Sequence, residues 1–159
     1  MYVTGTVGDA LVGLQCLERD CGETEDKSGE EAADLAPQVA RYLRPQPRVR
    51  MGMLLGRNRA ATACMDLSDG LADAVRQIAA ASQVGITIDA AALPIAEQVR
   101  RWHMVRKADP AMAVLQGGDD YELLFTARPS HAGRLRALRG HEADLPITKI
   151  GEITVMSGR

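Results

Sequence analysis

The chain has 159 residues, 46% of them hydrophobic and 25% charged, an ordinary soluble composition long enough for a sizeable core. Nineteen Lys and Arg stand against twenty-one Asp and Glu, and a formal charge of −2 offers no broad basic footprint for nucleic acid or an acidic membrane. Aromatic residues are only 3%, so stacking platforms for bases are scarce, and Cys16, Cys21 and Cys64 lack the CxxC spacing of a zinc site or the even count of a disulfide framework.

No apolar run approaches membrane-spanning length, and a reducing cytoplasm is the expected compartment. In chain order, Tyr2–Thr4 reads as a strand, Gly5-Thr6-Val7-Gly8-Asp9 as a turn, and Ala10–Leu17 as a helix. Such a turn can cradle a phosphate on backbone amides, but its glycines match no nucleotide fingerprint and equally serve the backbone alone. A strand with no polar approach suggests that something once preceded it. Residues 18–31 are charged and small, the pattern of a solvated, mobile loop.

A second helix is expected over 30–43, with Ala33, Ala36, Val39, Ala40 and Leu43 inward, ending at Arg44-Pro45-Gln46-Pro47-Arg48. The prolines make a stiff corner that displays Arg44 and Arg48. Arginines so held suit a phosphate or a carboxylate, or simply form a structural ion pair. The next helix spans 49–57.

The apolar run Ala61–Met65 then ends in Asp66-Leu67-Ser68-Asp69-Gly70, read as a strand entering a helix over 69–82 with Ser68 as its N-cap. Asp66, Asp69 and the Ser68 hydroxyl are hard oxygen ligands of the kind a partly hydrated magnesium ion takes. Ser and Asp also favour a helix start for local reasons, so both readings stand.

Val84–Asp89 alternates as a strand, and a helix follows around Ala96–Trp102, with Trp102 read as packing and His103 as a surface ring. Asp109-Pro110 caps a short helix carrying Met112, Val114 and Leu115. It leads into Gly117-Gly118-Asp119-Asp120-Tyr121-Glu122 before the strand from Leu123. Adjacent acids on one side need a cation or donor to accept them; a solvated turn explains them equally well. Pro129–Gly140 reads as an amphipathic helix with Leu135 and Leu138 inside, and Pro146–Thr154 as a last strand pair or bulged strand. The expected fold is α/β or α+β, with a mixed sheet of about four to six strands flanked by helices.

Five stretches together resemble thiamine-monophosphate kinase, and only its C-terminal domain: Tyr2–Thr6 with Gly8-Asp9, Leu43–Arg48, Met65–Leu71, Gly117–Leu123 and Ile150–Ile153. The resemblance covers nearly the whole chain as one domain, 1–159, without the N-terminal ATP-binding domain. It implies magnesium-dependent phosphoryl transfer from ATP to thiamine monophosphate, giving thiamine diphosphate. By position it makes Asp66 and Asp69 magnesium ligands, Ser68 a contact of the ATP phosphates, and Asp119 a substrate contact where the family usually has a glutamate, one methylene longer. It also implies no activity for this chain alone, and homodimers formed through the missing domain or through exposed apolar surface. The alternative is a non-catalytic nucleotide- or thiamine-phosphate-binding module of the same fold.

Overall fold

The structure, a computed structural model, describes residues 1–20, 34–139 and 144–155. Most of the charged stretch 18–31, the start of the second expected helix and Cys21 lie outside the described residues; Cys16 and Cys64 are free thiols.

The elements run β1 (Tyr2–Thr4), α1 (Asp9–Asp20), α2 (Ala36–Leu43), α3 (Val49–Arg57), β2 (Ala63–Asp66), α4 (Leu71–Ser82) and β3 (Gly85–Ile88). They continue with α5 (Glu97–Val105), α6 (Pro110–Gln116), β4 (Leu123–Thr126), α7 (Ala132–Arg139), β5 (Ile147–Lys149) and β6 (Gly151–Thr154). The fold class is the expected α+β, with its strands in two sheets: four in the order β2-β4-β1-β5, and the pair β3-β6. Every pairing among the described strands is antiparallel. The expected terminal pair β5 and β6 splits between the two sheets, hinging on the fully buried Ile150.

Side chains alternate across a strand, so the four-stranded sheet sorts its residues onto two faces. Val3 and Leu124 join Val12, Leu71, Ile78, Val99, Trp102 and Val114 in one core. On the other side Phe125, stacked on Tyr2 at 5.5 Å, packs with Met51, Leu55, Leu135 and Leu138. Each fully buried Leu or Phe contributes about 1.5–3 kcal/mol by removal from water.

Two inward-facing assignments change. On α2 the buried positions are Gln38, with Leu35 just ahead, while Leu43, Ala36 and Ala40 are exposed. Polar partners decide this, because Gln38 donates to Asp9 on α1 and Arg41 donates to Glu122 ahead of β4. The helices approach closely at Gly13, where a Cβ would fall 2.2 Å from the Gln38 carbonyl oxygen. His103 is buried, not a surface ring, and Trp102 beside it donates to Gln15 while Arg106 covers its face at 3.3 Å.

Candidate functional site

The strand β2 delivers Asp66 to its last position, and the buried Leu67 anchors the chain that follows. Helix α4 does not begin where Ser68 would cap it. Its N-cap is Gly70, at φ 103° and ψ 166°, and no side chain bonds to the free amides of the first turn. The reason is steric: a Cβ on residue 70 would fall 2.0 Å from the Gly117 carbonyl oxygen, so only glycine admits the neighbouring loop, and the helix starts beyond it. Ser68 and Asp69 therefore precede the helix. Asp66 and Asp69 are exposed, and among the described residues neither carboxylate, nor the Ser68 hydroxyl, makes a side-chain hydrogen bond.

The neighbouring loop is residues 117–122. Helix α6 starts as the sequence predicts, with the Asp109 carboxylate accepting from the amides of Ala111 and Met112 and Pro110 in the first turn. Beyond its end, the chain runs alongside residues 67–70. The amides of Asp119 and Tyr121 donate to the carbonyls of Ser68 (2.8 Å) and Leu67 (3.1 Å), and the Leu67 amide donates to the Glu122 carbonyl (2.9 Å). Asp119 and Tyr121 hold left-handed backbones, at φ 63° and 52°, a conformation that costs a non-glycine residue roughly 1–2 kcal/mol and concentrates at functional loops. The pairing brings exposed Asp119 to the same edge of the fold as Asp66, Ser68 and Asp69.

Asp120 goes the other way. Its carboxylate is buried and accepts from the amides of Gly8 (2.7 Å) and Ala10 (3.2 Å), at the start of α1. The glycine turn thus cradles an anion, but the anion is a carboxylate of the chain itself, which fills the place a phosphate would take. Burial pushes the Asp120 carboxyl up to about 6, against the pull of the two amides, and the nearby Asp9 adds to the rise. The two adjacent acids are accommodated by facing different surroundings.

Sequence reading missed Glu122 as a site residue. Its side chain is fully buried and accepts from Thr4 Oγ1 (2.6 Å), Arg41 Nη2 (2.7 Å), Arg48 Nε (2.9 Å) and Arg48 Nη2 (2.7 Å). Burial alone would raise its carboxyl, but bonds from Arg48, Thr4 and Arg41 outweigh that and hold it below the usual range. Of the two corner arginines, Arg48 finds a carboxylate within its own chain, and Arg44 is exposed. The signal in the sequence was an acid directly abutting the apolar run Leu123–Phe125, where burial demands a cationic partner, together with an arginine on a rigid proline corner.

Among the described residues no three His, Cys, Asp or Glu gather closely enough to enclose a metal ion. Asp66 ends β2 and Asp69 follows in the turn after it, both exposed, and they could hold a magnesium ion only with waters or phosphate oxygens completing its shell, which is the coordination that ion favours. An open cavity of about 360 Å³ lies elsewhere, lined by Thr87, Asp89, Lys149, Gly151, Glu152 and Thr154, none of them a predicted site residue. No helix among the described residues is long and apolar enough to cross a membrane.

The chain is similar to known proteins over nearly its whole length. The thiamine-monophosphate kinase of Escherichia coli O157:H7 is 37% identical over 154 residues, which cover 97% of this chain and 44% of the relative. The crystal structure of thiamine-monophosphate kinase from Stenotrophomonas maltophilia K279a superposes with a TM-score of 0.81 at 37% identity, covering 99% of this chain and 48% of the other. AaThiL complexed with AMPPCP and TMP superposes with a TM-score of 0.76 at 29% identity, covering 99% and 45%. The chain thus spans a little under half the length of the relatives it matches, and the resemblance to thiamine-monophosphate kinases read from its motifs is borne out. Residues 2–157 match the family described as AIR synthase related protein, C-terminal domain, and the chain belongs to that family.

Proposed function

We propose that this chain is the C-terminal domain of a kinase that transfers a phosphoryl group from ATP to thiamine monophosphate in the cytoplasm, giving thiamine diphosphate. In this reading Asp66 and Asp69 hold magnesium, the Ser68 hydroxyl donates to a nucleotide phosphate oxygen, and Asp119 contacts the substrate. Magnesium, when bound, neutralises charge on the transferred group, and phosphoryl transfer needs little else beyond positioning. The chain's own task is to hold its carboxylates on a rigid edge. Asp119 has one methylene less than the glutamate usual at its place, and its left-handed backbone and amide bond to Ser68 fix where that shorter side chain starts.

The observation that supports this most is the displaced start of α4. A capping Ser68 and a first-turn Asp69 would have explained those residues by helix formation alone; with Gly70 as the cap, helix formation leaves them without a role. A second domain completes the nucleotide site, and homodimers form through that domain or through exposed apolar residues such as Leu43, Val49 and Met53.

The test is calorimetric titration of AMPPCP with magnesium, and of thiamine monophosphate, into the purified chain and its Asp66→Asn and Asp69→Asn variants. Nucleotide binding is expected to require magnesium and to weaken at least tenfold in each variant. Equal binding by wild type and variants would remove the metal assignment, and binding without turnover in a coupled assay is expected of residues 1–159 tested alone. No binding at all would mean that these carboxylates hold no ligand without the second domain, and would make residues 1–159 a structural fragment of a kinase.

A further inference from the structure

We propose that Glu122 is a positioning residue for the candidate site: its buried carboxylate, gripped by Arg41 and Arg48, sets where Asp119 stands relative to Asp66 and Asp69. The inference rests on the reading of those three carboxylates as ligand-binding groups, and it adds a residue that touches no ligand itself.

Glu122 joins the 117–122 loop by side-chain hydrogen bonds to three elements that the side chains of the other anchors of the two acid-bearing segments, Leu67 and Asp120, do not bond. Its carbonyl accepts the Leu67 amide, and the residues just before it return amide bonds to Leu67 and Ser68. These three backbone bonds tie the loops to each other but to nothing deeper. Depth comes from Leu67 on one side, which is buried in the apolar core, and on the other from two side chains, Asp120 on the amides of Gly8 and Ala10 and Glu122 on its hydroxyl and guanidinium donors. That side chain reaches three separate elements: Thr4 at the end of β1, Arg41 on α2 and Arg48 at the entry to α3. Arg41 also donates to the Asp120 carbonyl at 3.4 Å, so the same guanidinium touches the loop backbone one residue after Asp119.

The surroundings are shaped to the carboxylate. Thr4 Oγ1 donates to it while accepting the Leu123 amide at 2.9 Å, which orients the hydroxyl. Gly5 has φ 60°, and a Cβ there would fall 2.1 Å from Glu122 Oε1. The carboxylate therefore excludes any side chain from position 5. Two guanidiniums on one carboxylate, one of them two-pronged, fix orientation as well as distance, which a single lysine would not do. The Glu122 side chain is fully buried, so it can hold the loop without itself touching a ligand.

The experiment measures amide hydrogen exchange in the whole chain for wild type, Glu122→Gln and the milder Arg48→Lys, with Leu138→Ala as a remote destabilised control. Manganese titration follows, read by water-proton relaxation. The expected result is exchange at Asp119, Tyr121 and Leu67 accelerated at least tenfold in Glu122→Gln and by less in Arg48→Lys. Amides of β3 and β6 should keep wild-type rates. The Leu138→Ala control should leave the two loops as protected, relative to its own global stability, as in wild type. Manganese affinity should fall at least fivefold in Glu122→Gln and hold in the control. If the loop amides of both clamp variants exchange as in wild type, or accelerate only in step with global stability, the proposal is overturned. Should wild type bind no manganese while the loop amides respond as expected, the clamp stands and the metal assignment of Asp66 and Asp69 falls.

Discussion

Replacing Asp120 with Asn converts its buried environment into a measurable pH dependence. Asp120 is 6% exposed, and its carboxyl is pushed from 3.8 to about 6, chiefly by burial. A folded-state value above the unfolded one means that the native chain binds the proton more readily. The stabilisation is therefore fully present below 3.8 and is lost as pH rises through about 6. At about 1.4 kcal/mol per pH unit, that interval comes to about 3 kcal/mol. Asparagine cannot ionise, so its variant lacks this dependence. Its amide oxygen can accept from Gly8 or Ala10, while its NH₂ group opposes the other amide, at a pH-independent cost of about 1–3 kcal/mol. Urea unfolding of both proteins between about pH 3.5 and pH 7.5 isolates the effect, because the other acids titrate in both. The wild-type advantage should be largest at the acid end and shrink by about 3 kcal/mol towards neutrality. A difference that stays flat, or grows with pH, would show that the two amides outweigh burial and would refute the reasoning.

Gly13→Ala tests the contact between α1 and α2. In an open helix this change stabilises by about 1 kcal/mol, but the Gln38 carbonyl stands 2.2 Å from the new methyl, so a net loss of about 1–3 kcal/mol is expected by urea unfolding. Ser68→Ala and Asp109→Ala form a contrasting pair. Asp109 accepts two amides at the start of α6, and its replacement should cost about 1 kcal/mol of unfolding free energy, whereas Ser68 caps nothing and its replacement should change that free energy by no more than a surface substitution does, within about 0.5 kcal/mol, both read by urea unfolding. Equal losses at both positions would restore Ser68 as a cap.

Local signals in the sequence placed the elements well. The Asp109-Pro110 start, the Pro45–Pro47 corner and the alternation in Ile86–Ile88 all carry their geometry in neighbouring residues, and the structure has a helix, a corner and a strand there. What escaped depends on residues far apart in the chain. The helix cap falls on Gly70 rather than Ser68, at a position where the Gly117 carbonyl leaves no room for a side chain, and Asp120 found its donors at Gly8 and Ala10. Helical periodicity set Ala36, Ala40 and Leu43 inward, but α2 turns Gln38 and Arg41 towards buried acids, because a desolvated carboxylate left unpaired costs more than three exposed apolar side chains. The candidate site residues Asp66, Ser68, Asp69 and Asp119 were legible as two short motifs. That the motifs lie side by side, joined through backbone amides, was not.

The strand order carries a consequence for how the chain reaches this state. Strand β1 lies between β4 and β5, with Tyr2 opposite Phe125 on one side and Lys149 on the other. Neither neighbour exists until more than a hundred further residues have been made, so Tyr2–Thr4 must wait, unpaired on both edges, while the helices and β2 take shape around a sheet whose middle is still vacant. Closing loops of that length makes folding slow for a chain of this size. A ribosome-bound intermediate would expose a short, two-edged strand that later becomes an inner strand of the sheet.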